Sequence, residues 1–155
     1  MDKIIGLGNA LVDALAIIED DNILTEMQLP KGSMTLIDED KFLKISEYFS
    51  RMETHLANGG SAGNAIRAMA CLGAGTGFIG KVGNDFFGDQ LRAAIKEAGI
   101  DDIGLCTAEK VHTTLAMVHT YPDGDRDFSF YRNPGADMML NKTEISEDIL
   151  KETEM

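Results

Sequence analysis

Apolar and polar positions along the chain fall into short blocks whose period changes repeatedly, and these changes predict an order of strands and helices. The first apolar run, Ile4 to Leu7, is continuous and is closed by Gly8 and Asn9, so Ile4 to Gly8 reads as a buried strand. Ala14 to Ile18 reads as another short strand, and Asp20 and Asp21 suit a helix start after it. A second helix is better marked. Asp38 stands where an N-cap would, and Phe42, Ile45, Phe49 and Met52 recur at spacings of three and four, which places one apolar stripe toward a core.

The segment HLANGGSAGNAIRAMACLG then runs a short strand into a glycine-rich turn, followed by a helix of small residues from about Ala62 to Leu72 that stops at Gly73. Thr76 to Val82 reads as a strand, Asp85 as an N-cap, and Phe86 to Ala98 as an amphipathic helix closed by Gly99. This alternation of strand and helix predicts an α/β fold. Further on, Thr113 to Thr120 and Asp127 to Arg132 are rich in β-formers and flank the turn YPDGDR, which predicts a hairpin. NPGAD, from Asn133 to Asp137, is a loop that restarts a helix near Asp137, and Ser146 to Glu154 reads as a short acidic helix. The sequence has no internal repeat, low-complexity tract or long linker.

Composition narrows the partners. A chain of 155 residues, 44% hydrophobic, is enough for one domain. Its formal net charge of -12, from 26 acidic and 14 basic residues, repels phosphate backbones and anionic lipid surfaces, so neither nucleic acid nor membrane is an expected partner. Cys71 and Cys106 have no CxxC or Cys/His spacing, which argues against a disulfide framework or a zinc site and fits a reducing cytoplasm. The opening MDKIIGLGNALVD is interrupted by glycines, Asn9 and Asp13, and is neither a signal peptide nor a membrane span.

The strongest candidate for chemistry is the turn NGGSAGN, Asn58 to Asn64, which sets three glycines, a serine and two asparagines between a strand end and a helix start. Glycines let a ligand approach the backbone, the helix start offers free N–H groups, and the two amides can pair with hydroxyls. The plainer reading is a turn that needs glycine for its geometry alone. Asp13 lies among Leu11, Val12 and Leu15, where a lone carboxylate is conspicuous and could accept from two sugar hydroxyls; by itself it could equally be a turn or cap residue.

Other patterns lead elsewhere. GTGFIGK, Gly75 to Lys81, has P-loop spacing, but Val82 stands where a magnesium-binding Ser or Thr belongs, and the run reads as strand. Asp123, Asp125 and Asp127 alternate as in a calcium loop, yet Phe128 replaces the next glycine, so a solvated hairpin tip is expected. His55, His112 and His119 lack ligand or triad spacing, so no metal site is expected in this chain.

GNALVD (Gly8 to Asp13), NGGSAGN, GKVGNDFFGD (Gly80 to Asp89) and NPGAD occur in the order found in PfkB-type kinases, which the chain resembles over essentially its whole length. The resemblance implies a ribokinase-like fold, a doubly wound α/β sheet with a small β-sheet lid. It also implies ATP- and magnesium-dependent phosphorylation of a hydroxymethyl group on a sugar or nucleoside. It gives Asp13 the role of gripping acceptor hydroxyls, with Gly59, Gly60, Ser61 and Asn64 lining the same site and Asn9 and Leu11 beside them. Where the ribokinase-like branch tends to have asparagine, this chain has Leu11, and GNALVD and GGSAGN look more like adenosine-kinase-like members. The resemblance therefore leans toward a nucleoside acceptor, with ribose, fructose and other sugars left open. Lid segments are expected at about 14–18, 34–37 and 113–132, and in some relatives such a lid also joins subunits into an oligomer. GKVGNDFFGD reads as scaffold, and NKTE, Asn141 to Glu144, as a chance match to the family's NxxE motif.

The family's GAGD motif, which carries the anion hole and the catalytic aspartate, does not occur in this sequence. The expectation is therefore the N-terminal, acceptor-binding portion of one kinase domain, with no catalytic residue in this chain, the ATP-binding half absent, and strand-edge and apolar surface left for that half to cover. The competing expectation is a non-catalytic sugar- or nucleoside-binding regulatory module.

Overall fold

A computed structural model describes residues 3–151. They form eight strands and five α-helices, grouped into two compact bodies: residues 3–12, 58–114 and 134–151 in the first, residues 13–57 and 115–133 in the second.

The first body is built on a parallel sheet of β1 (Ile4–Leu7), β5 (Thr76–Gly83) and β6 (Leu105–Ala108), in the order β1-β5-β6. β5 is buried along its full length, as a central parallel strand must be, and its continuous apolar character follows from that position. Helix α3 (Ser61–Cys71) packs on β1 and β5, and α4 (Phe86–Glu97) on β5. Both helices begin and end on local signals. Asp85 accepts from Gly88 N at 2.8 Å to cap α4, and Gly73 and Gly99, at φ 89° and 73°, turn the chain out of α3 and α4. β1 corrects the expectation of a buried strand: it is an edge, and Ile4 and Leu7 are 46% and 58% exposed. β6 is a strand that the sequence pattern does not announce, because LCTA is only four residues long and carries no alternation.

The second body takes most residues of a mixed five-stranded sheet in the order β3-β8-β7-β2-β4. Its strands are β2 (Leu11–Ile17), β3 (Met34–Ile37), β4 (Thr54–Gly59), β7 (Thr114–Thr120) and β8 (Arg126–Tyr131). β7 and β8 pair antiparallel as the expected hairpin, and β3 adds to β8 in parallel, Met34 opposite Phe128. Ala14 and Ala16 of β2, with Ile18 just beyond its end, face a core that also takes Ile37, Met117 and Tyr121. Helix α1 (Asn22–Met27) closes it with Ile23 and Leu24, and α2 (Glu39–Phe49) with Ile45 and Phe49. The stripe expected on α2 is that face: Ile45 is fully buried, and Phe42 and Met52 pack at its margin. At about 1.5–3 kcal/mol for each large aliphatic or aromatic side chain buried, this cluster accounts for why the helices stay on the sheet.

Beyond Asn133 the chain forms two 3-10 turns, Ala136–Met139 and Lys142–Glu144, and helix α5 (Glu147–Lys151). The helix expected from Ser146 to Glu154 is thus seen as far as Lys151, and its remaining residues, 152–154, lie outside the described residues. No helix among the described residues is long and apolar enough to cross a membrane.

Candidate functional site

The turn Asn58 to Asn64 owes its shape to glycine. β4 ends at Gly59, which is buried, and Gly60 follows at φ 92° and ψ 128°, a conformation that side-chain-bearing residues rarely adopt. A Cβ on Gly60 would lie 2.4 Å from the carbonyl oxygen of Asn9, so the loop after β1 and the start of α3 touch backbone to backbone there. Gly60 also supplies the N-cap of α3. Its carbonyl accepts from Asn64 N at 3.0 Å, and no side chain caps the first turn. The first-turn N–H groups of α3 are therefore left without a side-chain acceptor, beside the exposed side chains of Ser61 and Asn64.

Within the first body the structure thus brings together Asn9, Gly59, Gly60, Ser61 and Asn64, with Asn9 exposed and Leu11 buried. Behind the turn, Ala10, Asn58, Gly59, Arg67 and Phe78 line a void of about 20 Å³, room for one water and nothing larger. A ligand at this turn would meet its outer surface.

Asp13 is the third residue of β2 and belongs to the second body. It is half-buried between the buried Val12 and Ala14, and it makes no hydrogen bond or ion pair among the described residues. Burial raises its carboxyl above the ordinary aspartate value, because the charged form loses water and gains no partner. A strand position that tolerates this cost is suited to a ligand that donates hydroxyls to the carboxylate.

The decoys are resolved by position. Gly75 to Lys81 is no phosphate loop: Thr76 to Lys81 lies in buried β5, and Lys81 Nζ is bound to Glu144 Oε1 and Oε2 at 2.5 and 2.7 Å and to the Met139 carbonyl at 3.3 Å. NKTE has a structural task, since Asn141 and Glu144 form a reciprocal capping box around a 3-10 turn, and Glu144 is the residue that meets Lys81. The solvated hairpin tip holds for Asp123 and Asp125 but not for Asp127, which is 3% exposed and accepts from Tyr121 Oη and from Ser33 N. Strand alternation turns Asp127 inward, opposite His119, whose ring is fully buried and lies 3.3 Å from Ser129 Oγ. The sequence signal was available: Asp127 stands two positions from Ser129 on one face of β8. No group of three or more His, Cys, Asp or Glu among the described residues is arranged to hold a metal ion.

A concavity of the second body, about 620 Å³, is lined by Leu15, Ile17, Glu19, Tyr48, Met52 and His55 among others. None of the candidate residues lines it.

The chain is similar in sequence and fold to proteins of known structure and name. Fructokinase-1 of Oryza sativa subsp. japonica is 43% identical over 95 residues, 61% of this chain and 29% of that protein. The crystal structure of adenosine kinase from Sinorhizobium meliloti superposes with a TM-score of 0.76 at 29% identity, over 98% of this chain and 45% of that one. Fructokinase from Xylella fastidiosa superposes with a TM-score of 0.71 at 28% identity, over 97% and 38%. In each case the chain spans less than half of the relative's length. The fold is accordingly the α/β fold of adenosine-kinase and ribokinase-like structures, as the motif order implied. The profile of the pfkB family carbohydrate kinases matches residues 36–155, and the chain belongs to that family.

Proposed function

We propose that the complete protein transfers a phosphoryl group from ATP to a hydroxymethyl group of a sugar or nucleoside, in the cytoplasm, and that residues 1–155 supply the grip on the acceptor. The observation that carries this reading is Asp13, a half-buried carboxylate in a strand, with no partner among the described residues and its pKa raised by burial. Asp13 accepts from acceptor hydroxyls. Within the first body, the exposed Asn9, Ser61 and Asn64 offer amide and hydroxyl groups to the same class of acceptor, Gly59 and Gly60 keep the turn open to close approach, and Leu11 is buried beside Ala10 and Val12. Fructokinases among the sequence relatives and an adenosine kinase among the structural ones share an acceptor chemistry, a ring with vicinal hydroxyls, that suits such a set.

The donor belongs elsewhere in this reading. Thr76 to Lys81 lies in a buried strand and GAGD does not occur in the sequence, so we assign no step of transfer to these residues. ADP release by the complete protein, measured with fructose, adenosine and ribose in turn, tests the proposal. Turnover with at least one of them is expected, and the 155-residue chain alone should release none. No turnover by the complete protein with any sugar or nucleoside would overturn it.

A further inference from the structure

The chain leaves the first body after Thr114 and re-enters it at Pro134, and both connections are tied to that body by a carboxylate. Asp85 does more than cap α4. Besides accepting from Gly88 N at 2.8 Å, it accepts from Thr113 N at 2.7 Å and from Thr113 Oγ1 at 2.8 Å, across 28 residues of sequence. Thr113, 1% exposed, relays the tie, since its hydroxyl in turn accepts from Gly83 N at 2.9 Å. At the returning connection the buried Asp137 accepts from Thr114 Oγ1, and Ala136 N donates to the His112 carbonyl at 2.8 Å.

A helix cap needs one of these bonds; serine or asparagine would serve it equally. The remaining two are charge-assisted bonds to Thr113, the stronger kind. The glycines of GKVGNDFFGD have their reason in the same place. A Cβ on Gly83 would come within 2.5 Å of Asp85 Oδ2 and 2.6 Å of Thr113 N, and one on Gly88 within 2.2 Å of the Gly83 carbonyl. Side chains at either glycine would close the socket that receives Thr113.

We propose that Asp85 and Asp137 are positioning residues that clamp residues 112–114 and 136–137, the two ends of the excursion that carries β7 and β8, in fixed places within the first body. The inference stands on this geometry and does not depend on the acceptor reading.

Hydrogen exchange of the complete protein, followed by mass spectrometry, tests it. Asp85→Ser retains a capping oxygen for α4 but cannot hold both Thr113 groups, Thr113→Val removes the hydroxyl at nearly constant shape, and Thr113→Ser retains it. Asp85→Ser and Thr113→Val should each speed exchange in residues 111–116 by roughly tenfold or more, the size expected for losing a bond to a charged group. Exchange in α4 should stay within about twofold, and Thr113→Ser should match the wild type. Asp137→Asn should speed residues 134–137 likewise. Unchanged exchange in 111–116, or acceleration equal in α4 and throughout the chain, would overturn the clamp. Should Asp85→Ser fail to fold, the Thr113 pair of variants decides alone.

Discussion

Replacing Gly60 with alanine tests the geometry of the turn directly, because two separable costs meet at that residue. The first is conformational: φ 92° with ψ 128° is glycine territory, and forcing a Cβ into it costs about 1–3 kcal/mol. The second is steric. The new Cβ would sit 2.4 Å from Asn9 O, about 1 Å short of ordinary contact, and relieving that by shifting a backbone carbonyl adds about 1–3 kcal/mol. A total of about 2–6 kcal/mol corresponds to a fall in midpoint of roughly 4–24 °C for a chain of this size. Gly99→Ala is the control: φ is 73° there, with nothing within 4 Å of the added carbon, so only a conformational cost of about 1–2 kcal/mol applies. Urea unfolding of both variants, followed by circular dichroism, separates the two costs. If Gly60→Ala proves no more destabilising than Gly99→Ala, the close approach of Gly60 to Asn9 is not a constraint, and the account of the turn fails.

Two further outcomes follow from buried charge. Burial holds the His119 imidazole down at about 4, so between about pH 6.5 and 4 the unfolded chain takes up a proton that the folded chain refuses. Its contribution is complete above 6.5 and is lost as pH falls toward 4, about 3 kcal/mol in all; His119→Gln should flatten stability measured from pH 7 to 5, and equal slopes would contradict this. Lys81→Met should cost about 1–3 kcal/mol, less than for a fully buried pair, because the Glu144 side chain is 31% exposed and can rehydrate. The hydrogen bond from Lys81 holds the Glu144 carboxyl below the usual glutamate range, so that cost should be full at neutral pH and shrink as pH falls below about 4.5.

What could be read from the sequence was what local chemistry decides. Asp38 and Asp85 mark the starts of α2 and α4, Gly73 and Gly99 mark the ends of α3 and α4, and YPDGDR marks the hairpin, because a cap or turn needs only its neighbours. The turn at Asn58 to Asn64 was legible for the same reason. What failed was non-local. Ile4 to Leu7 reads as buried by composition, yet whether a parallel strand is central or an edge depends on the order in which later strands join it. Asp127 resembles a tip residue until the hairpin register turns it toward Tyr121 and Ser33, the latter 94 residues away. GKVGNDFFGD read as scaffold because Thr113, which explains its glycines, lies outside the motif. For the candidate site, Asp13 could be singled out from its apolar neighbours, but that it has no partner among the described residues is a property of the fold.

Whether Asp13 grips the acceptor is decided by calorimetric titration of the complete protein with fructose and with adenosine, in wild type and Asp13→Ala. We expect the acceptor that binds the wild type to lose about tenfold or more in affinity in the variant, as removal of a charged hydrogen-bond acceptor requires. The variant should fold with unchanged or slightly higher stability, since a half-buried, unpartnered carboxylate has been removed. Equal affinity in a folded Asp13→Ala protein would contradict the account.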